Sequence, residues 1–282
     1  MKITAIIQAR MTSTRLPGKV LMPIPLGKNS KPLIQWIVDR VSKSKVVNSI
    51  IIATSQNEED QAIAEFAISQ EINYLRGDEN DVLSRFVECI NKEKSDIVIR
   101  LTGDNPVVDF KIMDEVILTH INHQNDYTYT SNLPTGMNFE VVSSECLIEI
   151  FNKKLSPADR EHVTLYIRNS NEYRKEEYYK NVNKELKNVR LTVDYPSDYL
   201  VVSALLSLLE DNDLIDIEWI EKMLFQYPWL FQMNRDNIQK KQYGNLTEEI
   251  EASIQLLKKF DLEEPANVLF NYKKVCKRKK YS

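Results

Sequence analysis

Glycine is scarce in this chain. Only six occur in 282 residues, Gly18, Gly27, Gly77, Gly103, Gly136 and Gly244. No two stand close enough for GxGxxG, so the usual dinucleotide fingerprint is absent. Gly18-Lys19 is followed by Val20 rather than Ser or Thr, and Ser13 stands where the first glycine of a P-loop belongs. A P-loop NTPase is therefore excluded. Cysteine is equally thin. Cys89, Cys146 and Cys276 form no CxxC spacing, which points away from a zinc site or a disulfide framework. There are three histidines, and no Ser-His-Asp or Cys-His constellation is apparent. The opening MKITAIIQAR holds no apolar stretch of signal-peptide length, and no run of about 18 apolar residues occurs, so a soluble, cytoplasmic protein is expected. Excess positive charge is missing too. A net charge of −4 and a pI near 5.6 argue against nucleic acid as a partner.

What is present is an ordinary globular composition, 43% hydrophobic and 28% charged. Short apolar runs at 2–8, 49–54 and 97–101 read as strands buried on both faces. Between and after them, 33–44, 58–70, 81–93 and 110–122 have helical period. Strand alternating with helix predicts a mostly parallel sheet. From 127 to 190 the pattern turns mixed. YTYTSN, NFEVV, YRKEEYY and NVRLTVD read as strands, with a helix at 157–169. Helices follow at 197–210, 216–227 and 246–260, and KKVCKRKKYS reads as a frayed basic tail. His120 and His123 read as surface residues of their helix.

The chemistry starts at IIQARMTSTRLPGKVL, residues 6–21. The first strand ends at Gln8, and the loop after Ala9 carries Arg10, Arg15 and Lys19 with Thr12, Ser13 and Thr14 between them. Three cations and three hydroxyls at the carboxyl end of a parallel strand suit a triphosphate. Ligands bind there in open α/β sheets, and loop N–H groups can cradle phosphate oxygens.

This block resembles the opening signature of the acylneuraminate cytidylyltransferase-like family, in its spore-coat polysaccharide biosynthesis branch. GDENDVLSRF (77–86), RLTGDNPVVD (100–109), NFEV (139–142), REHVTLYIRN (160–169) and LTVDYPSDY (191–199) resemble further blocks of that family in the same order. The resemblance covers roughly residues 1–240. It implies a Rossmann-like nucleotidyltransferase fold, a Mg²⁺ requirement and a homodimer. It also implies that Arg10, Arg15 and Lys19 hold a triphosphate, with Gln8, Ala9 and Ser13 beside them. This chain has Met11, Thr12 and Ser13 where the wider superfamily often has glycines.

Asp104, in a Thr-Gly-Asp-Asn-Pro turn, and Asp194, before Tyr195-Pro196, each follow a predicted strand. If both strands share one sheet, the carboxylates converge on Mg²⁺, which takes one or two carboxylates plus phosphates and water. Thr54 ends the second strand and is expected at the base pocket. Arg76 and Arg85 are candidates for the base and ribose, although Arg85 could instead pair with Asp81 at i,i+4. Glu140 is a candidate for the acceptor or the metal, or sits on a polar strand face, and Arg160 and His162 are candidates for an acidic acceptor or a dimer interface.

The expected domains are 1–240, a nucleotidyltransferase domain whose 127–190 insertion serves dimerisation or the acceptor, and 241–282, a helical extension with a basic tail. The expected function is transfer of CMP from CTP to a small anionic acceptor, such as a sugar acid or a phosphorylated small molecule. Pyrophosphate leaves, and the product feeds surface polysaccharide biosynthesis. The alternatives are a GTP- or UTP-dependent sugar-phosphate nucleotidyltransferase, a nucleotide-sugar-dependent glycosyltransferase using Asp211-Asn212-Asp213 as its metal motif, and a nucleotide-binding regulator without turnover.

Overall fold

The computed structural model describes residues 1–27, 29–210, 213–238 and 246–279. The chain divides into two compact units, Met1–Asn237 and Ile238–Ser282. In the first unit, seven strands form the main sheet: β1 (Ile3–Gln8), β4 (Ser49–Ser55), β5 (Asn73–Gly77), β6 (Ile97–Thr102), β7 (Tyr127–Thr130), β8 (Glu140–Ser143) and β9 (Lys175–Tyr178). A two-residue pair, β2 (Pro23–Ile24) and β3 (Lys31–Pro32), lies apart from it. The spatial order is β5-β4-β1-β6-β8-β7-β9. The first four are parallel, β8 runs antiparallel to both neighbours, and β7 and β9 are parallel. The mostly parallel sheet read from the apolar runs is present.

The run of isoleucines in β1 follows from its central place. Successive side chains alternate faces. Ile3, Ala5 and Ile7 join the core formed with α1 (Leu33–Val41), α2 (Gln61–Ser69), α4 (Phe110–Asn122) and α8 (Pro196–Ser207). Ile6 points into the opposite core, with Leu83 and Phe86 of α3 (Val82–Glu93) and Leu147 of α5 (Ser144–Phe151).

The mixed segment departs from the sequence reading. NVRLTVD forms no strand. Its backbone bonds go to a loop and a turn instead: Thr135 N–H donates to Val189, Leu191 N–H to Thr135 and Val193 N–H to Asp104. An extended, doubly buried segment with loop partners carries the same apolar pattern as a strand. The single helix expected at 157–169 is two, α6 (Pro157–His162) and α7 (Leu165–Asn169), broken at Val163 with φ of 56°. Val163 is fully buried there, and Thr164 turns to Glu140. His120 is no surface residue either. It is 2% exposed and bonded to Thr128. After α9 (Ile217–Gln226), the second unit pairs α10 (Leu246–Lys259) with α11 (Glu263–Lys279) over Ile250, Ile254 and Ala266. The expected frayed tail is thus helical through Lys279, and residues 280–282 lie outside the described residues.

Candidate active site

β1 and β6 end side by side, with Gln8 opposite Thr102. Their two loops must therefore pack together. Gly103 N–H donates to the Gln8 carbonyl at 2.8 Å. A Cβ at Gly103 would stand 3.0 Å from the Ala9 Cβ and 3.1 Å from the Gln8 carbonyl oxygen, which explains glycine in the Thr-Gly-Asp turn. The loop after β1 folds back on itself. Ser13 and Gly18 N–H groups both donate to the Met11 carbonyl at 2.9 Å. Gly18 takes φ of 71° and opens the short turn that starts at Lys19.

That turn buries the Lys19 side chain between two carboxylates. Its Nζ lies 2.9 Å from Asp104 and 2.7 Å from Asp194. The backbones of the two acids are joined as well, since Val193 N–H donates to the Asp104 carbonyl at 2.9 Å. Asp104 also accepts from the Thr102 hydroxyl at 2.7 Å. Asp194 receives two further cations, Arg15 at 3.0 Å and Arg190 at 3.2 Å. Burial pushes the Asp194 carboxyl up, but Lys19, Arg15 and Arg190 outweigh it and hold the group below the usual carboxylate range. Arg15 lies over the Tyr195 ring at 4.8 Å and donates to its hydroxyl. Burial lowers the Arg15 value, and Tyr195 with Asp194 more than restores it.

Behind this centre sits Asp198, fully buried. It accepts from the N–H groups of Asp194 and Tyr195, from two nitrogens of Arg190, and from Asn234 and Asn237. It fixes at once the backbone that carries the Asp194 carboxylate and the ring that holds Arg15. Gly136 braces the same stretch. Its φ is 99°, and a Cβ there would lie 2.3 Å from Thr192 N.

The remaining sequence candidates sort into those at the centre and those spent elsewhere. Arg10 is half exposed, 4.0 Å from Glu79. The Ser13 hydroxyl accepts from Leu16 N–H within the loop. Ala9 is buried, bonded through its N–H to the Ala53 carbonyl in β4. Thr54 is fully buried, and its hydroxyl has no partner among the described residues. Arg76 commits its guanidinium to Ser55, Asn57 and Gln61. Arg85 is 4% exposed and donates to the Asp78 and Glu79 carbonyls, propping the loop before α3. It does not form the i,i+4 pair with Asp81. That acid caps α3 at Ser84 N–H and pairs with Arg160 at 3.0 Å. Arg160 also donates to the Phe151 carbonyl and covers its ring.

Glu140 is the hub of a neighbouring cluster. Arg100 at 2.6 Å, the Tyr127 hydroxyl and the Thr164 hydroxyl all donate to it, and half-exposed Arg168 stands 4.0 Å away. Burial pushes this carboxyl up, while Arg100 and Tyr127 hold it below its ordinary value. Arg100 also donates to the Gln8 side chain at 3.1 Å, linking this cluster to the end of β1. His162 is a third exposed, near Glu161.

Sequence reasoning passed over Arg190, Tyr195 and Asp198. Two of them stand inside LTVDYPSDY, where only Asp194 was singled out. Their signal was the density of ionic and aromatic residues around one short apolar segment.

Among the described residues no three His, Cys, Asp or Glu side chains converge as a metal cage. Two carboxylates are the oxygen ligands that magnesium takes, with most of its shell left to phosphates and water, but the Lys19 ammonium bridges Asp104 and Asp194 here and would have to give way to the ion. Asp211 and Asn212, of the glycosyltransferase alternative, lie outside the described residues. No described helix is long and apolar enough to cross a membrane.

Comparison with known proteins bears on the family and the fold. The spore coat polysaccharide biosynthesis protein SpsF of Bacillus subtilis is 42% identical over 209 residues, 72% of this chain and 85% of that protein. An 8-amino-3,8-dideoxy-manno-octulosonate cytidylyltransferase of Shewanella frigidimarina is 29% identical over 60% of this chain and 66% of its own length. The structure of a cytidylyltransferase from Leptospira borgpetersenii superposes with a TM-score of 0.75 at 27% identity, covering 86% of this chain and all of that one. The family model described as cytidylyltransferase matches residues 4–239, and with the sheet and the loop after β1 in place, this chain belongs to the cytidylyltransferase family.

Proposed function

We propose that this protein transfers CMP from CTP to a small anionic acceptor, a sugar acid, and releases pyrophosphate. The observation that carries the reading is Lys19, whose ammonium is held within hydrogen-bond reach of both Asp104 and Asp194, with Arg15 on the same carboxylate. Such a centre needs no covalent nucleophile. Its work is positioning and charge neutralisation. An acceptor hydroxyl oxygen forms a bond to the α-phosphorus as the bond from that phosphorus to the β-phosphate bridging oxygen breaks. The pyrophosphate leaves with the bonding electrons, and the hydroxyl proton passes to solvent. Arg10, Arg15 and Lys19 neutralise the charge that grows on the leaving group. Asp104 and Asp194 would hold Mg²⁺, which when bound supplies Lewis-acid polarisation of phosphate oxygens.

Gln8, Ala9 and Ser13 shape the phosphate side, and Thr54 lies toward the base. Arg76 and Arg85 act there by fixing the loops around β5 rather than by reaching a ligand directly. The acceptor is placed by Glu140 and His162, with half-exposed Arg168 offering a cation to its carboxylate, while Arg160 braces α6 against Asp81. The setting is the cytoplasm, where CTP is available, and the product serves surface polysaccharide biosynthesis. The test is pyrophosphate release from each of the four ribonucleoside triphosphates with Mg²⁺ and a panel of sugar acids and sugar phosphates. Release from CTP with a sugar acid is expected. Preference for GTP or UTP with a sugar phosphate would overturn the cytidylyl assignment.

A further inference from the structure

Asp60 ends the short turn Glu58–Asp60 that leads into α2. An aspartate before a helix ordinarily caps it. Asp60 does not, for its side chain accepts no bond from the helix. Instead its carboxylate reaches two separate loops. One oxygen accepts the Met11 N–H at 2.6 Å. The other accepts both the N–H and the hydroxyl of Ser55, at the end of β4. The Ser55 hydroxyl in turn accepts from Asn57 N–H at 3.1 Å. Asp60 is 1% exposed, and its nearby cation is the buried Arg85 guanidinium, which is spent on the Asp78 and Glu79 carbonyls rather than on a direct ion pair with it. A buried carboxylate without a contacting cation is costly unless hydrogen bonds satisfy it. It also sets a negative charge behind a loop that is to receive a triphosphate.

Met11 is where that loop closes. Its carbonyl accepts from Ser13 and Gly18, so the stretch carrying Arg15 hangs from this one residue, and Asp60 holds the same residue from its N–H side. An asparagine could accept at one oxygen only, because its nitrogen is a donor. The carboxylate is the group that takes donors from both loops. Its place beside the phosphate loop, in spite of its charge, points to the hold it provides.

We infer that Asp60 is a positioning residue that locks the phosphate loop to the end of β4, setting the distance between the triphosphate cations and the base side of the site. This rests on the nucleotide reading above. The lock acts on the phosphate half of the ligand alone, so its loss weakens CTP far more than CMP. A residue that merely supports the fold would weaken both equally.

The experiment is calorimetric titration of the full chain, wild type and Asp60→Asn, with CTP and with CMP, alongside melting curves. Asp60→Asn is expected to raise the Kd for CTP about tenfold, the loss of one charge-assisted hydrogen bond, and to leave CMP within about twofold. Equal weakening of CTP and CMP, or no change in either, would overturn the inference. Ser55→Ala keeps the Met11 bond and removes only the hydroxyl donor, leaving the residue 55 backbone N–H on that oxygen of Asp60. It decides the matter if Asp60→Asn does not fold, with a smaller rise for CTP only as the expected result and equal losses as the contrary one. Should the wild type take another triphosphate in place of CTP, the cytidine assignment fails, and Asp60 is tested with that nucleotide and its monophosphate.

Discussion

Single residues at the centre are placed by charge. Lys19 reaches Asp104 and Asp194 because Gly18 turns left-handed and drops the next residue inward. Two carboxylates this close would repel, and the ammonium between them removes that cost. The cations were legible in the sequence, as three basic residues in one loop after a strand. Their partners were legible only in part. Asp104 and Asp194 stand at expected strand ends, but nothing local marks Arg190 or Asp198, because the six donors on Asp198 are gathered from residues spread over 190–237. Burial also decides His120, which periodicity assigned to the surface. Its ring lies between α4 and β7 and bonds to Thr128. Desolvation drops its pKa from 6.5 to about 4, with Asp126 and Glu176 opposing weakly. The folded form is therefore neutral where the unfolded chain already takes a proton. Stability from this site is complete above about 6.5 and is lost as pH falls toward 4. Melting curves across this range should show that loss, and His120→Gln should flatten it. An unchanged slope in the variant would mean that other groups carry the acid sensitivity.

Elements were most legible where both faces of the sheet are covered. The apolar runs of β1, β4 and β6 have no other reading at that length, and α3 announced itself through Asp81 as its cap. The failures share one cause: local pattern does not reveal who supplies the backbone partner. The segment 190–193 is as apolar as a strand, yet it bonds to the loop at Thr135 and to Asp104. That arrangement serves the site better than a strand would, since it ties the two acidic turns by a direct backbone bond. The break at Val163 is of the same kind. A continuous helix would carry Thr164 away from Glu140, where its hydroxyl is needed as a donor. The strand β5 escaped notice because NYLRG, with polar residues at both ends of a short run, resembles a loop.

The whole molecule combines a sheet with parallel centre and mixed edge. The edge strand β9 carries KEEY, and Tyr179 just beyond it is 61% exposed. Edge strands are open to pairing with another chain. We propose a homodimer through 127–190, as the resemblance implies. Light scattering at micromolar concentration is expected to give twice the chain mass, and a monomer would count against this surface. The fold class and the family were readable from the order of short blocks. The second unit, Ile238–Ser282, gave no such block, and its role was not readable because helical period alone carries no chemistry.

The central claim is that the two carboxylates on Lys19 form the catalytic centre. The direct measurement is pyrophosphate release by Asp104→Asn, Asp194→Asn and the double variant, each with its melting curve. Each single change is expected to lower turnover by roughly 10²-fold or more, since several kcal/mol of charge stabilisation is at stake and each 1.4 kcal/mol is tenfold. The double variant should lose little beyond either single one, because groups acting as a unit fail together. Asp194 holds three cations in a buried setting, so its variant is expected to melt earlier as well. Asp104 is more open, and its variant should fold as the wild type does. Near-normal turnover by a well-folded Asp104→Asn would contradict the account.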